Sequence, residues 1–285
     1  MKIKEALRDA SFKIAEKWAE TPLLDAQVML QKTAGMTKET LIASYNCEIE
    51  KNILDHFNLM VGKRVSGYPV AYITGEKEFF GLSFSVDENT LIPRRDTEIL
   101  VETVLEESQK IIKETDLLPI KILDLCTGSG CIAIALKSEL EEKADVEASD
   151  ISSKTENIFY KNCENILGKK LCFYKSDLFN SITKSYHIIV TNPPYLKNKY
   201  VDEMISNNWP EPETALRGGN DGLDFIRKII ETSWEKIEKK GLLCMEADPS
   251  QMDEIKKILE EKGFKDISTR KDLAQRERVI SGWKK

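Results

Sequence analysis

The chain has 285 residues, 32% of them charged and 41% hydrophobic, which is the composition of an ordinary water-soluble protein with room for two domains. Its formal net charge of -6 gives no support to a broad nucleic-acid surface, because such a surface needs clustered lysine and arginine. The N-terminus has no apolar signal segment, and no stretch approaches about 18 apolar residues, so we expect no membrane span.

The cysteine and histidine content argues against a metal site. Six cysteines are scattered without a CxxC pair, and the two histidines, His56 and His187, stand far apart. We therefore expect reduced thiols, a cytoplasmic location and no bound metal.

Residues 1–73 carry apolar residues at helical spacing and no strand signals. Ile3 and Ile14 belong to the apolar face of a first helix, and Thr21 followed by Pro22 marks the start of a second. We predict a bundle of four or five helices, for which a structural role and a partner-recognition role are both open.

Between Pro69 and Pro93 the apolar pattern changes to period two. Residues 79–86 alternate around Gly81, and residues 87–89 have the composition of a turn, which predicts a β-hairpin. The predicted organisation is a helical domain at 1–73, a hairpin linker at 74–93 and a larger domain at 94–285.

Strands and helices alternate in the larger domain after a first helix over 96–113. The predicted strands cover 120–125, 145–148, 171–174, 187–191, 242–246, 264–269 and 279–283. The predicted helices between them cover 132–140, 153–167, 222–239 and 251–262. This alternation predicts an α/β fold with a mainly parallel, doubly wound sheet.

A glycine-rich loop, Asp124-Leu-Cys-Thr-Gly128-Ser-Gly130, joins the first strand of this alternation to a helix. Glycines allow a ligand to approach the backbone, and the helix start offers unpaired N–H groups. Asp150 ends the next strand, where a ribose-binding carboxylate is expected. Asp177 and Leu178 follow the third strand and are placed to flank a base.

Three ligands compete for this loop. A nucleoside triphosphate is set aside because no lysine follows the glycines. A dinucleotide fits the spacing Gly128-x-Gly130-x-x-Ala133 and the acid at 150. S-adenosylmethionine carries positive charge and no phosphate, so Asp124 beside the loop favours it.

A second motif, Asn192-Pro-Pro-Tyr195, follows the apolar run at 187–191. Proline cannot continue a strand, so this strand ends abruptly and holds Asn192 at the carboxyl edge of the sheet. An asparagine side chain offers an acceptor and two donors, which suits gripping a planar amide or amino group.

These residues resemble class I S-adenosylmethionine-dependent methyltransferases that methylate planar nitrogen. Within that group the chain is similar to the protein-(glutamine-N5) methyltransferases of peptide chain release factors, the HemK/PrmC family. The segments that carry this resemblance are 69–75, 78–81, 91–98, 211–212, 215–216, 218–224 and 271–274.

The resemblance implies a Rossmann-like domain with an N-terminal helical domain for substrate recognition and a β-hairpin connector. It also implies methyl transfer from S-adenosylmethionine, leaving S-adenosylhomocysteine, to the glutamine of the Gly-Gly-Gln motif of class 1 release factors. We expect a monomer without a direct nucleic-acid partner. The residues expected to carry catalysis are Asn192, Pro193, Pro194 and Tyr195. The expected cofactor site is Asp124, Cys126, Thr127, Gly128, Ser129, Gly130, Asp150, Ile151, Asp177, Leu178 and Asn192.

The chain departs from the family pattern at four positions. Cys126 stands where many members have glycine, Arg95 where proline is usual, and Asp248 and Gln275 where glycine is usual. The alternatives that remain are a ribosomal-protein glutamine methyltransferase, an adenine-N6 nucleic-acid methyltransferase, an NAD-dependent enzyme and a non-catalytic adaptor.

Overall fold

The structure, a computed structural model, describes residues 1–17, 20–115 and 117–285. These residues form two units, one from residues 1–76 with 208–210 and one from residues 77–207 with 211–285. No helix within the described residues combines the length and the apolar character that a bilayer-spanning segment needs.

Five helices make up the first unit within residues 1–17 and 20–76. Their bounds are α1 Ile3–Ala15, α2 Pro22–Ala34, α3 Lys38–Ala43, α4 Lys51–Val65 and α5 Val70–Thr74. Pro22 opens α2, where its missing N–H costs nothing, and Thr37 caps α3 by accepting a hydrogen bond from the Thr40 N–H. The buried centre includes Ile14, Met29 and Phe57.

Helix α5 corrects the expectation of period-two structure from Pro69 onward. Pro69 precedes the helix in an extended conformation, and Gly75 ends it with a φ of 73°. Because the helix has five residues, its apolar spacing is too short to distinguish from alternation.

A β-hairpin follows, formed by β1 Glu76–Phe79 and β2 Leu82–Ser85. Its turn lies at Phe80 and Gly81, whose φ angles are 52° and 72°, as a two-residue turn between twisted strands requires. The residues at 87–89 form a separate turn after the hairpin, in which the Thr90 N–H donates to the Asp87 carbonyl.

A seven-stranded sheet with helices on both faces forms the second unit. The strands are β3 Ile120–Leu125, β4 Ala144–Asp150, β5 Cys172–Lys175, β6 Tyr186–Thr191, β7 Ile237–Glu246, β8 Lys265–Lys271 and β9 Glu277–Lys284. The helices are α6 Glu98–Thr115, α7 Cys131–Leu140, α8 Ser153–Leu167, α9 Asn198–Ser206, α10 Asp224–Ser233 and α11 Met252–Lys262.

The order across this sheet is β5-β4-β3-β6-β7-β9-β8. The first five strands in that order are parallel, and β9 runs antiparallel to both of its neighbours. Successive residues of one strand point to opposite faces, so Ile122 and Leu123 belong to different buried clusters. The predicted fold class is confirmed, including the helical N-terminal domain and the hairpin.

The largest difference from the predicted boundaries lies between α10 and β7. The helix predicted over 222–239 ends at Ser233, and residues 237–239 belong to β7, where Ile237 is buried and pairs with Tyr186. The polar residues at 238–240 fit a helix surface equally well, so only the pairing of Ile237 shows that the strand begins there. Helix α9 was not predicted.

The turn between β8 and β9 contains a strained residue. Gln275 has a φ of 61°, a left-handed conformation that side chains disfavour, and its N–H donates to the Asp272 carbonyl at 2.9 Å. Glycine adopts this conformation without the clash that a Cβ causes.

Gln275→Gly should therefore stabilise the protein. Removing the left-handed cost of about 1–2 kcal/mol outweighs the greater freedom of glycine in the unfolded chain, about 0.5–1 kcal/mol, so we expect a net gain of roughly 0.5–1 kcal/mol. Urea denaturation measures this gain. Ala274→Gly, in the same turn but without a positive φ, should lower the stability. A loss of stability in Gln275→Gly would contradict the strain argument.

Candidate active site

The carboxyl ends of β4, β3 and β6 lie side by side at one edge of the sheet. Leu125 is in register with Ser149 on one side and with Thr191 on the other. The strand order reverses at β3, since β4 and β5 lie to one side of it and β6 to the other. Such a reversal opens a crevice in which α/β proteins bind ligands.

A cavity of about 340 Å³ occupies this crevice. The expected site residues among those that line it are Cys126, Gly128, Asp150, Ile151, Asp177, Leu178, Asn192 and Pro194. The other expected residues, Asp124, Thr127, Ser129, Gly130, Pro193 and Tyr195, adjoin these in the chain. The structure thus brings both predicted motifs to one place.

Backbone hydrogen bonds shape the glycine loop at residues 126–130. The Thr127 N–H donates to the Ser149 carbonyl, and the Gly130 N–H donates to the Thr127 carbonyl. A Cβ at Gly130 would lie 2.6 Å from the Phe159 ring, so only glycine fits there. A Cβ at Gly128 would meet no protein atom within 4 Å, because this residue opens onto the cavity.

Cys126 lines the cavity with a φ of 63°, the left-handed conformation that glycine adopts most readily. Burial raises the pKa of its thiol, and the negative charges of Asp150 and Asp124 raise it further. The thiol is therefore protonated and contributes bulk to the cavity wall, without nucleophilic character.

Asp124 is the penultimate residue of β3, next to the loop, and is fully buried. Its Oδ2 accepts hydrogen bonds from the Thr127 hydroxyl at 2.5 Å and from the Ala133 N–H at 3.0 Å. Its Oδ1 has no hydrogen-bond partner among the described residues. Burial raises the pKa of this carboxyl to about 7. Asp124 thus ties the loop to the first turn of α7.

Asp150 lines the cavity from the end of β4. Its Oδ2 accepts from the Gly128 N–H and its Oδ1 from the Ser152 N–H, both at 2.9 Å. Burial raises the pKa of the carboxyl, and these two backbone donors oppose the rise. Each oxygen retains a lone pair, so the carboxylate is held in place and still available to ligand hydroxyls.

The Asn192-Pro193-Pro194-Tyr195 segment leaves the end of β6 and is clamped by the residues at 216–222. The Leu196 N–H donates to the Leu216 carbonyl at 3.0 Å, and the Gly218 N–H donates back to the Leu196 carbonyl at 2.7 Å. A Cβ at Gly218 would lie 2.7 Å from the Tyr195 Cα, so the clamp depends on a residue without a side chain.

Two residues that the sequence analysis did not assign contact this segment. The Asn192 Nδ2 donates to the Thr97 hydroxyl at 3.3 Å, and the Tyr195 hydroxyl donates to Glu246 Oε1 at 3.1 Å. Thr97 precedes α6 and Glu246 ends β7, so both come from segments distant in sequence. Their residue types carried no signal in the sequence.

Two loop segments and one helix form another part of the cavity wall. Its residues include Asn89, Thr90, Leu91, Pro212, Glu213, Thr214, Ala215, Arg217 and Phe225. Glu211 tethers the two loops, because it pairs with Arg94 and accepts a hydrogen bond from the Ile92 N–H at 3.0 Å. No group of three or more metal-ligating side chains occurs within the described part of the chain.

Comparisons with known proteins show the family of the chain. Residues 5–75 match the PrmC N-terminal domain family, and residues 96–211 match the methyltransferase small domain family. The release factor glutamine methyltransferase of Clostridium acetobutylicum is 34% identical over 285 residues, covering 98% of each chain. That of Borreliella burgdorferi is 37% identical over 259 residues, covering 90% of this chain and 87% of its own.

Solved structures share the fold at lower identity. The Thermus thermophilus 16S rRNA N2 G1207 methyltransferase, solved with AdoMet and guanosine, is 17% identical, with a TM-score of 0.51 over 74% of this chain and 50% of that one. The family predicted from the sequence is confirmed by the full-length relatives.

The raised pKa of Asp124 predicts a pH-dependent effect of Asp124→Asn. The folded protein binds the proton of this carboxyl more tightly than the unfolded chain does, so ionisation costs folding free energy as the pH rises from about 4 to 7. The stability of the asparagine variant relative to the unaltered protein should therefore rise by up to about 1.4 kcal/mol per pH unit in that range. Denaturant titrations at several pH values test this. A difference independent of pH would contradict it.

Proposed function

The chain belongs to the release factor glutamine methyltransferase family, and we propose that it methylates the glutamine side chain of the Gly-Gly-Gln motif in class 1 release factors. The observation that carries the proposal is the position of the Asn192 carboxamide, which lies at the edge of the cavity. The full-length relatives of this chain are named release factor glutamine methyltransferases.

We propose S-adenosylmethionine as the methyl donor, and the cavity residues fit it. Asp150 presents a fixed carboxylate to ribose hydroxyls, and Gly128 leaves room for a ligand beside the loop. Asp150 and Asp177 give the lining a negative charge, which suits a cationic ligand better than a pyrophosphate. When bound, this cofactor supplies an electrophilic methyl group on a sulfonium centre.

In the proposed mechanism, Asn192 and Pro193 orient the glutamine amide. An amide nitrogen is a weak nucleophile because its lone pair is delocalised into the carbonyl. The Asn192 Nδ2 is engaged by Thr97, which leaves Oδ1 to accept one amide N–H, and the Pro193 carbonyl accepts the other. Tyr195 packs against the substrate side chain. Positioning of this kind contributes several kcal/mol to lowering the barrier, and the proton leaves to water.

The helical domain is proposed to recognise the release factor. Phe12 and Leu23 on α1 and α2 are 68% and 50% exposed, and Leu24 beside them is 51% exposed. Exposed apolar side chains grouped on a helical surface are typical of protein contacts. We propose that the enzyme is a monomer. We also propose that it is cytoplasmic, since its substrate belongs to the translation machinery.

Labelled methyl transfer to purified class 1 release factor tests the function, with a factor whose Gly-Gly-Gln glutamine is replaced as the control. We expect transfer to the unaltered factor alone. Asn192→Ala should lower kcat by roughly a hundredfold or more with little change in cofactor affinity, because positioning is lost. Asn157→Ala, exposed on α8, should act normally. Transfer to ribosomal protein or DNA in place of the release factor would overturn the substrate.

Asp150→Ala should weaken S-adenosylmethionine binding by roughly tenfold to a hundredfold, since charge-assisted hydrogen bonds contribute about 1.5–3 kcal/mol. Isothermal titration calorimetry measures this change, with Asp145→Ala on the same strand as the matched control. Unchanged affinity for Asp150→Ala would remove Asp150 from the cofactor site. Binding of NAD in place of S-adenosylmethionine would overturn the cofactor proposal.

A further inference from the structure

We propose that Thr97 and Glu246 are positioning residues for methyl transfer: Thr97 holds the Asn192 carboxamide with its oxygen toward the substrate, and Glu246 fixes the Tyr195 side chain. This inference rests on the proposed function. It extends the site to two residues outside the cavity lining.

Glu246 lies one strand away from Asn192 at the same edge of the sheet. Thr191 of β6 is in register with Met245 of β7, so the next residues along the chain, Asn192 and Glu246, both lie at the carboxyl ends of these strands. Glu246 is 1% exposed, and a carboxyl buried to this degree requires partners.

The hydrogen-bond partner of Glu246 belongs to the Asn192-Pro-Pro-Tyr195 segment. The Tyr195 hydroxyl donates to Oε1 at 3.1 Å. Burial raises the pKa of the Glu246 carboxyl, and hydrogen bonding and the nearby positive charge of Arg278, itself 8% exposed, oppose the rise. Oε2 accepts no hydrogen bond within the described residues. Glu246 therefore fixes the Tyr195 side chain through the contact at Oε1.

Thr97 contacts the carboxamide of Asn192. A hydroxyl has one proton to donate and lone pairs to accept with. The Thr97 oxygen accepts from Asn192 Nδ2 at 3.3 Å. This direction of hydrogen bonding leaves Asn192 Oδ1 as the end available at the cavity.

The orientation matters because a rotation of the carboxamide by 180° exchanges its acceptor and its donors. The rotated group would present its N–H bonds to the N–H bonds of the substrate amide. The substrate nitrogen would then lose the hydrogen-bond acceptor that positions it. Without the Thr97 hydroxyl, the productive orientation leaves Nδ2 unpaired, which is unfavourable for a partly buried donor.

The test compares Thr97→Val, which removes the hydroxyl at nearly constant volume, with Thr97→Ser, which keeps it. Thr97→Val should lower kcat by about tenfold to a hundredfold, while KM for the release factor and the Kd of S-adenosylmethionine change by less than about threefold. Contacts outside the pocket are expected to dominate binding of a protein substrate, so KM is little affected. Thr97→Ser should retain most of kcat.

Thr103→Val is the matched control. Thr103 is 3% exposed on α6, and its hydroxyl donates within the helix to the Ile99 carbonyl at 2.6 Å. This variant changes a buried threonine away from Asn192, so kcat should stay unchanged.

Glu246→Leu tests the second residue of the pair. It should also lower kcat, with the Kd of S-adenosylmethionine changing by less than about threefold, because it releases the Tyr195 hydroxyl from its acceptor. A normal kcat for Thr97→Val or for Glu246→Leu, or a parallel loss of cofactor affinity, would overturn the inference. Absence of transfer by the unaltered protein would overturn the proposed function itself, and this inference with it.

Discussion

The abrupt end of β6 is the constraint on which the site depends. Two prolines follow Asn192, and because neither can continue a strand ladder, the chain leaves the sheet at that point. A bend of this kind is rigid only if its far side is held. The backbone ladder between Leu196 and residues 216–218 supplies that restraint, so the strand end is fixed from the sheet and from the loop.

The restraint explains why glycine is needed at the clamp. A Cβ at Gly222 would lie 2.3 Å from the Tyr195 carbonyl oxygen and 2.4 Å from the Gln251 amide nitrogen, which itself donates to that carbonyl. Three segments from different parts of the chain thus converge on one peptide group. The stability of the α/β core is used here to hold a short irregular segment in a single conformation.

Much of this architecture was predictable from the sequence. The strand-to-glycine-loop junction at Asp124 and the strand end at Asn192 were both placed correctly, because apolar runs and proline have strong local meaning. Thr97 and Glu246 were not found, because their importance depends on contacts between β7, the start of α6 and the end of β6. Local composition also failed to predict α5, because this helix is too short for its apolar spacing to be recognised. It failed at residues 237–239 as well, because strand pairing decides the conformation there.

The acidic lining of the cavity has a consequence for turnover. Asp150 and Asp177 attract a cation, and in the proposed reaction the sulfonium charge disappears as the methyl group is transferred. The neutral thioether product is then held less strongly than the cofactor that preceded it. The same carboxylates that favour loading of the enzyme therefore also favour exchange of spent product for fresh cofactor, and this discrimination weakens as salt screens the charges.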